Sequence, residues 1–259
     1  MSKTTDDFLS ACEQGDVKKF KRLLPVVLDR HQPKDMWQDA LYGAAAGGHL
    51  DIIKLLEGHT RLAHDHYQAF RVALEENHVD VIDFFLKKLK KEEIENVAHA
   101  YLFQPKKAKA LALLMPVSEL SKDDIASALY SAAHHGDNHL VEVLLPWPDP
   151  TINQSEALEA AATQGHLDIV KKLAPLSDPL ANQSSALRGA SRQNRVAVVD
   201  FLWDVSDPEA ACRWMIKNGE PEKNYRLIKN RLTIQENRRD LLQKTLEVSK
   251  KADKKTFKM

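Results

Sequence analysis

Histidine carries the most latent chemistry in this chain: there are 11 in 259 residues, and two groups are closely spaced, His64-Asp65-His66 and His134-His135 with His139. Imidazole and carboxylate together are ligands for zinc or a related transition metal. Such a centre needs several donors converging on one point, and no cysteine or carboxylate cluster completes either set. His134 and His135 are adjacent, so on a helix they point to different sides. The chain is therefore expected to hold no metal and no other cofactor. Cys12 and Cys212 stand 200 residues apart among helix-like apolar positions, which fits buried reduced thiols better than a disulfide. There is no glycine-rich phosphate loop, nucleophile elbow or kinase-like set, and the carboxylates are scattered over helix surfaces. These residues point away from an enzyme.

Charge narrows the partners. The total is zero, but residues 222 to 259 hold 12 Lys or Arg against 5 Asp or Glu, so residues 1 to 221 hold 25 against 32. An acidic body disfavours nucleic-acid binding by the chain as a whole, and aromatic residues are too sparse, and too rarely beside basic ones, to line a single-strand groove. The N-terminal stretch MSKTTDDFLSACEQGD carries acids where a secretory signal carries bases and an apolar run. No stretch approaches the roughly 18 apolar residues of a membrane span. A cytoplasmic, monomeric protein without membrane insertion is expected, and the Asn-X-Ser sequons at Asn153 and Asn182 then have no glycosylating route.

The elements that would carry these side chains come from a repeat. Residues 40–56, ALYGAAAGGHLDIIKLL, and 157–173, ALEAAATQGHLDIVKKL, are copies of one unit. The glycine slot in the middle falls at Gly48, Asn77, Lys106, Gly136, Gly165 and Asn194, at intervals of 29, 29, 30, 29 and 29 residues. Leu129, Ala132 and Ala133 lie on one face of a helix before a slot, and Leu140, Val141, Val143 and Leu144 on a helix after it. Gly and Asn at the slot end a helix in the left-handed conformation. Each hairpin is too short to bury its apolar face alone, so the units must stack. The Lys106 unit has Pro105 beside its turn, where the stack is expected to bend. Asp149-Pro150, Asp178-Pro179 and Asp207-Pro208 mark loops between hairpins.

These residues resemble the ankyrin repeat, which pairs Ala-Ala in a first helix with Gly-His at the turn and an apolar run ending Leu-Leu. The resemblance covers most of residues 6 to 208. It departs in lacking the Thr-Pro-Leu-His opening and in having a shorter period than that family. The expected fold is all-α, an ankyrin-like solenoid of stacked helix-turn-helix repeats with shortened inter-repeat loops and a C-terminal helical cap. Residues 1–232 form the array of about seven hairpins plus a degenerate last one, 233–249 the capping helix with Ile234, Leu241, Leu242 and Leu246 as its apolar face, and 250–259 a basic flexible tail. His49, His78 and His166 fall in the family's turn position.

The resemblance implies a non-catalytic role in which another protein, of unknown identity, binds a concave face made by first helices and inter-repeat loops. Carried over position by position, the partner-binding row is Glu13, Gln14, Glu75, Glu76, Gln104, His134, His135, Gln164, Arg192 and Gln193, with Arg188 one turn earlier. The row runs from acidic to basic. Trp147, set between two prolines, either packs over a hairpin end or serves as a loop anchor for a partner. The lysine-rich end, Lys250 to Met259, is either an inert solvated tail or a docking segment or address. The second alternative goes with a bacterial secreted effector acting on a host protein through the same array.

Overall fold

The computed structural model describes residues 3–29, 34–57, 66–147 and 154–256. Among them there are 16 α-helices and no strand, and none of the helices is long and apolar enough to cross a membrane. The chain divides into two compact units, Met1–Leu120 and Ser121–Met259, where the sequence reads one array. Each is a row of helical hairpins.

In the first unit the hairpins are α1 (Lys3–Gln14) with α2 (Val17–Asp29), α3 (Lys34–Ala46) with α4 (Leu50–Glu57), α5 (His66–Glu76) with α6 (Val79–Leu86), and α7 (Lys91–Tyr101) with α8 (Ala108–Leu114). First helices α1, α3 and α5 stack in sequence order, and second helices α2, α4 and α6 form a layer behind them. In the second unit they are α9 (Lys122–His135) with α10 (Asn138–Leu144), α11 (Gln154–Gln164) with α12 (Leu167–Leu173), α13 (Ala181–Arg192) with α14 (Val196–Leu202), and α15 (Pro208–Lys217) with α16 (Glu222–Thr256). Here α9, α11, α13 and α15 stack, α10, α12 and α14 lie behind, and α16 packs on α13, α14 and α15. Alanine lets first helices approach closely: Ala44, Ala45, Ala161 and Ala162 are wholly buried.

The turns explain the periodicity. Gly48, Asn77, Gly136, Gly165 and Asn194 all have φ between 57° and 90°, and so do Gly15 and Gly219 at either end. After each of these seven residues the next backbone N–H donates to the carbonyl five positions back, as in His49 to Ala44 at 2.8 Å and His166 to Ala161 at 2.9 Å. That bond caps the first helix and requires the left-handed residue before it. The accepting residue is a buried alanine at six of the seven turns: Ala11, Ala44, Ala73, Ala132, Ala161 and Ala190.

Two sequence readings are corrected and a third is refined. Lys106 does not adopt the left-handed turn: Pro105–Lys107 is a 3-10 turn, with Gln104 extended before the proline. Proline holds φ near −65° and pushes its predecessor out of the helix, so the chain closes another way. Asp207-Pro208 does mark the connection before α15, with Asp207 extended, and the pair also starts that helix. The Asp207 carboxylate accepts from the Ala210 N–H at 2.8 Å, and Pro208 takes the first helical position, where no N–H is needed. Finally, α16 spans the expected boundary at 232/233 and continues through Thr256, about 52 Å in 35 residues. Its packed part ends early. Ile228 is buried, whereas every residue from Thr233 to Lys244 is exposed, Ile234, Leu241 and Leu242 included. Beyond Leu232, Ile234, Gln235 and Arg238 line a shallow cavity with Trp203 without becoming buried.

Candidate binding groove

The turn histidines serve the stack. His49 Nε2 lies 3.0 Å from the Glu13 carbonyl, His78 Nε2 2.7 Å from that of Ala46, and His166 Nε2 3.1 Å from that of His134. A carbonyl only accepts, so each Nε2 carries the proton. Arg195 takes the same place and donates to the Thr163 carbonyl at 3.3 Å. In every case the residue just after one left-handed turn binds the residue two before the preceding turn. Each ring also seats over a glycine: a Cβ on Gly15, Gly48 or Gly136 would stand 2.5 Å from the ring of His49, His78 or His166.

At the last junction of each unit the same two positions pair through side chains. Glu75 meets Lys107 at 2.7 Å in the first unit. In the second, Arg192 Nε donates to Glu220 Oε2 at 2.9 Å. A large aromatic closes each: the Tyr101 hydroxyl donates to Glu75 at 3.3 Å, and Trp214 lies against Arg188 and Arg192, 3.6 and 5.9 Å from ring centroid to guanidinium. The Lys107 ammonium beside it holds the Glu75 carboxyl below its ordinary range, and the Arg192 guanidinium does so for Glu220. Burial lowers the Arg188 pKa, with Arg192 adding to the effect.

The row read from the sequence therefore splits. Glu13 lends its carbonyl, Glu75 and Arg192 their side chains, and His134 both its carbonyl and its ring, to neighbouring repeats. The Gln164 amide donates to His134 Nε2 at 3.0 Å, Gln104 donates back to the Ala100 carbonyl at 2.6 Å, and His135 Nδ1 donates to the Ser131 carbonyl at 2.8 Å. Arg188 is buried. Gln14, Glu76 and Gln193 are exposed. Trp147 is 41% exposed at the end of the α10 hairpin. His64, Asp65, Pro148 and Asn153 lie outside the described residues; among the described residues no group of three metal-ligating side chains occurs. Both cysteines are buried, and burial pushes the Cys12 thiol up to about 12.

What the sequence reading missed lies a turn or two earlier on the same helices. A cavity of 370 Å³ is lined by Asp123, Ala126, Ser127 and Tyr130 of α9 and Glu156 of α11. A second, of 440 Å³, shares Tyr130 and Glu156 and continues past Glu159 and Ala160 to His134, Thr163 and Gln164. Together they make one open groove between two first helices. Asp123, Ser127, Tyr130 and His134 are spaced as one helical stripe, as are Glu156, Glu159 and Thr163, so the spacing was there to be found. The Tyr130 ring stacks with that of His134 at 6.3 Å and is 46% exposed. Asp123 and Glu156 sit in the first turns of their helices, where a carboxylate also favours the helix dipole.

Comparison with known proteins leaves the site to speak for itself: no protein-family model matches the chain, and no curated protein matches it either.

Proposed function

We propose that the chain is a non-catalytic, ankyrin-like helical-repeat module that binds another protein on the face of its first helices. The open groove along α9 and α11 carries the reading. Inward positions of the repeats are apolar and alike, whereas the position six before each turn changes from Tyr42 and Arg71 to Tyr130, Glu159 and Arg188. Stacking alone asks for no such variety. Within each unit, a row of hairpins presenting variable side chains over buried alanines suits recognition by complementarity of shape and charge.

Affinity capture with the full chain tests this. Glu156→Lys and Glu159→Lys should deplete the captured protein, whereas Lys171→Glu, on the exposed side of second helix α12, should leave it unchanged. Loss with Lys171→Glu and retention with both groove variants would move the interface to the second-helix layer.

A further inference from the structure

Along the first helices of the second unit, one stretch is filled by the protein itself. Over α13 and α15, Arg188 is 6% exposed, with its guanidinium carbon 3.6 Å from the centroid of the Trp214 ring. Glu159 and Glu220 act on its charge. Its Nη2 donates to the Asn182 carbonyl at 2.7 Å, while Nε is buried with no acceptor among the described residues. The guanidinium thus rests on the ring face with less than a full set of hydrogen bonds, and burial and Arg192 oppose its charge while Glu159 and Glu220 favour it.

One register earlier, over α9 and α11, a ring and carboxylates recur without a cation. Tyr130, partly exposed and stacked with His134, lines the first cavity with Asp123 and Glu156, and neither carboxylate has an ion-pair partner among the described residues. Glu159 lines the second cavity and also favours the charge on Arg188. A ring face attracts a cation, a guanidinium best of all because it is planar and weakly hydrated. Carboxylates in a half-enclosed groove strengthen that attraction relative to open water. The adjoining cavities of 370 and 440 Å³ are large enough for several side chains of an extended chain.

We infer that this groove seats an extended segment of the partner protein bearing an arginine, whose guanidinium lies against the Tyr130 ring between Asp123 and Glu156 as Arg188 lies against Trp214. The inference rests on the binding role proposed above and adds the chemistry of the partner. Lysine fits the charge without the stacking and ranks second. An acidic or apolar segment is disfavoured by the uncompensated carboxylates.

The test uses the intact protein and immobilised short peptide pools with a fixed central Arg, Lys, Gln or Glu and randomised flanks. The Arg pool should retain the protein about tenfold better than the Gln pool, with Lys between, and the preference should weaken as salt is raised. Glu156→Gln and Tyr130→Ala, both at exposed positions, should each remove most of that preference with the unfolding midpoint unchanged, and Tyr130→Phe should keep it. Equal retention on the Arg and Gln pools overturns the inference. So does an arginine preference that survives both Glu156→Gln and Tyr130→Ala, because the cation would then bind elsewhere. Partner capture that is lost with Glu156→Lys, together with no arginine preference, would sustain the interaction role and reject this chemistry; capture indifferent to the groove would reject both.

Discussion

Gly48 and Gly219 have nearly the same backbone, φ +74° and +71°, but different surroundings. A Cβ on Gly48 would strike the His78 ring at 2.5 Å, whereas one on Gly219 would meet nothing within 4 Å. Gly219→Ala should therefore show only the left-handed penalty of an L-residue, about 1 to 2 kcal/mol. Gly48→Ala should lose more, and adding His78→Ala should return part of the difference. Urea unfolding of the three variants decides it, and equal losses at the two glycines would mean that the histidine ring is not seated on the turn. At the closing ion pairs the prediction concerns pH. Glu75 and Glu220 are held below their ordinary value of 4.5 by Lys107 and Arg192, so the folded state binds those protons less readily than the unfolded chain. Their contribution is present above about pH 4.5 and is lost as pH falls through the lower folded values. Stability measured from pH 6 down to 3 should decline, and Glu75→Gln with Glu220→Gln should flatten the decline.

Among the helices, α11 is constrained on both sides, because it stacks between α9 and α13 and carries α12 behind it. Leu158 is wholly buried within it, so Leu158→Ala should destabilise by about 2 to 5 kcal/mol through lost burial and the cavity left behind. A loss under about half a kilocalorie would contradict the frame of the repeats. That frame was legible: the Gly or Asn slots, the buried alanines and the apolar second helices follow from spacing alone. The histidine ladder was visible as a recurrence but not as a contact, since its acceptors are carbonyls and any residue supplies one. The closing pairs were hidden for a different reason. Glu75 with Lys107 and Arg192 with Glu220 reverse the charges at equivalent positions, so no residue type repeats. The groove was half legible, its stripes written in helical spacing but overlooked for positions nearer the turns.

At the scale of the whole chain, the first part of the helix that carries the basic excess packs on the stack, with Ile228 buried. Cys212 is buried on α15, against which α16 packs, and Lys229 of α16 acts on its charge. Between Thr233 and Lys244 every residue is exposed. Removing residues 241–259 should therefore leave the thermal midpoint nearly where it is, contrary to what an apolar cap at Leu241 and Leu242 would require. Removing residues 222–259 should uncover Ala211, Cys212 and Met215, end the stack on an apolar face and lower the midpoint, with aggregation. Thiol labelling under native conditions gives a second readout, because burial raises the Cys212 pKa and leaves little reactive thiolate. The full chain and the shorter truncation should label slowly at both cysteines, and the longer truncation should label rapidly at Cys212 while Cys12, in the other unit, stays protected. Rapid labelling in the shorter truncation would place the cap beyond residue 240, and slow labelling in the longer one would mean that α15 buries Cys212 without help from α16.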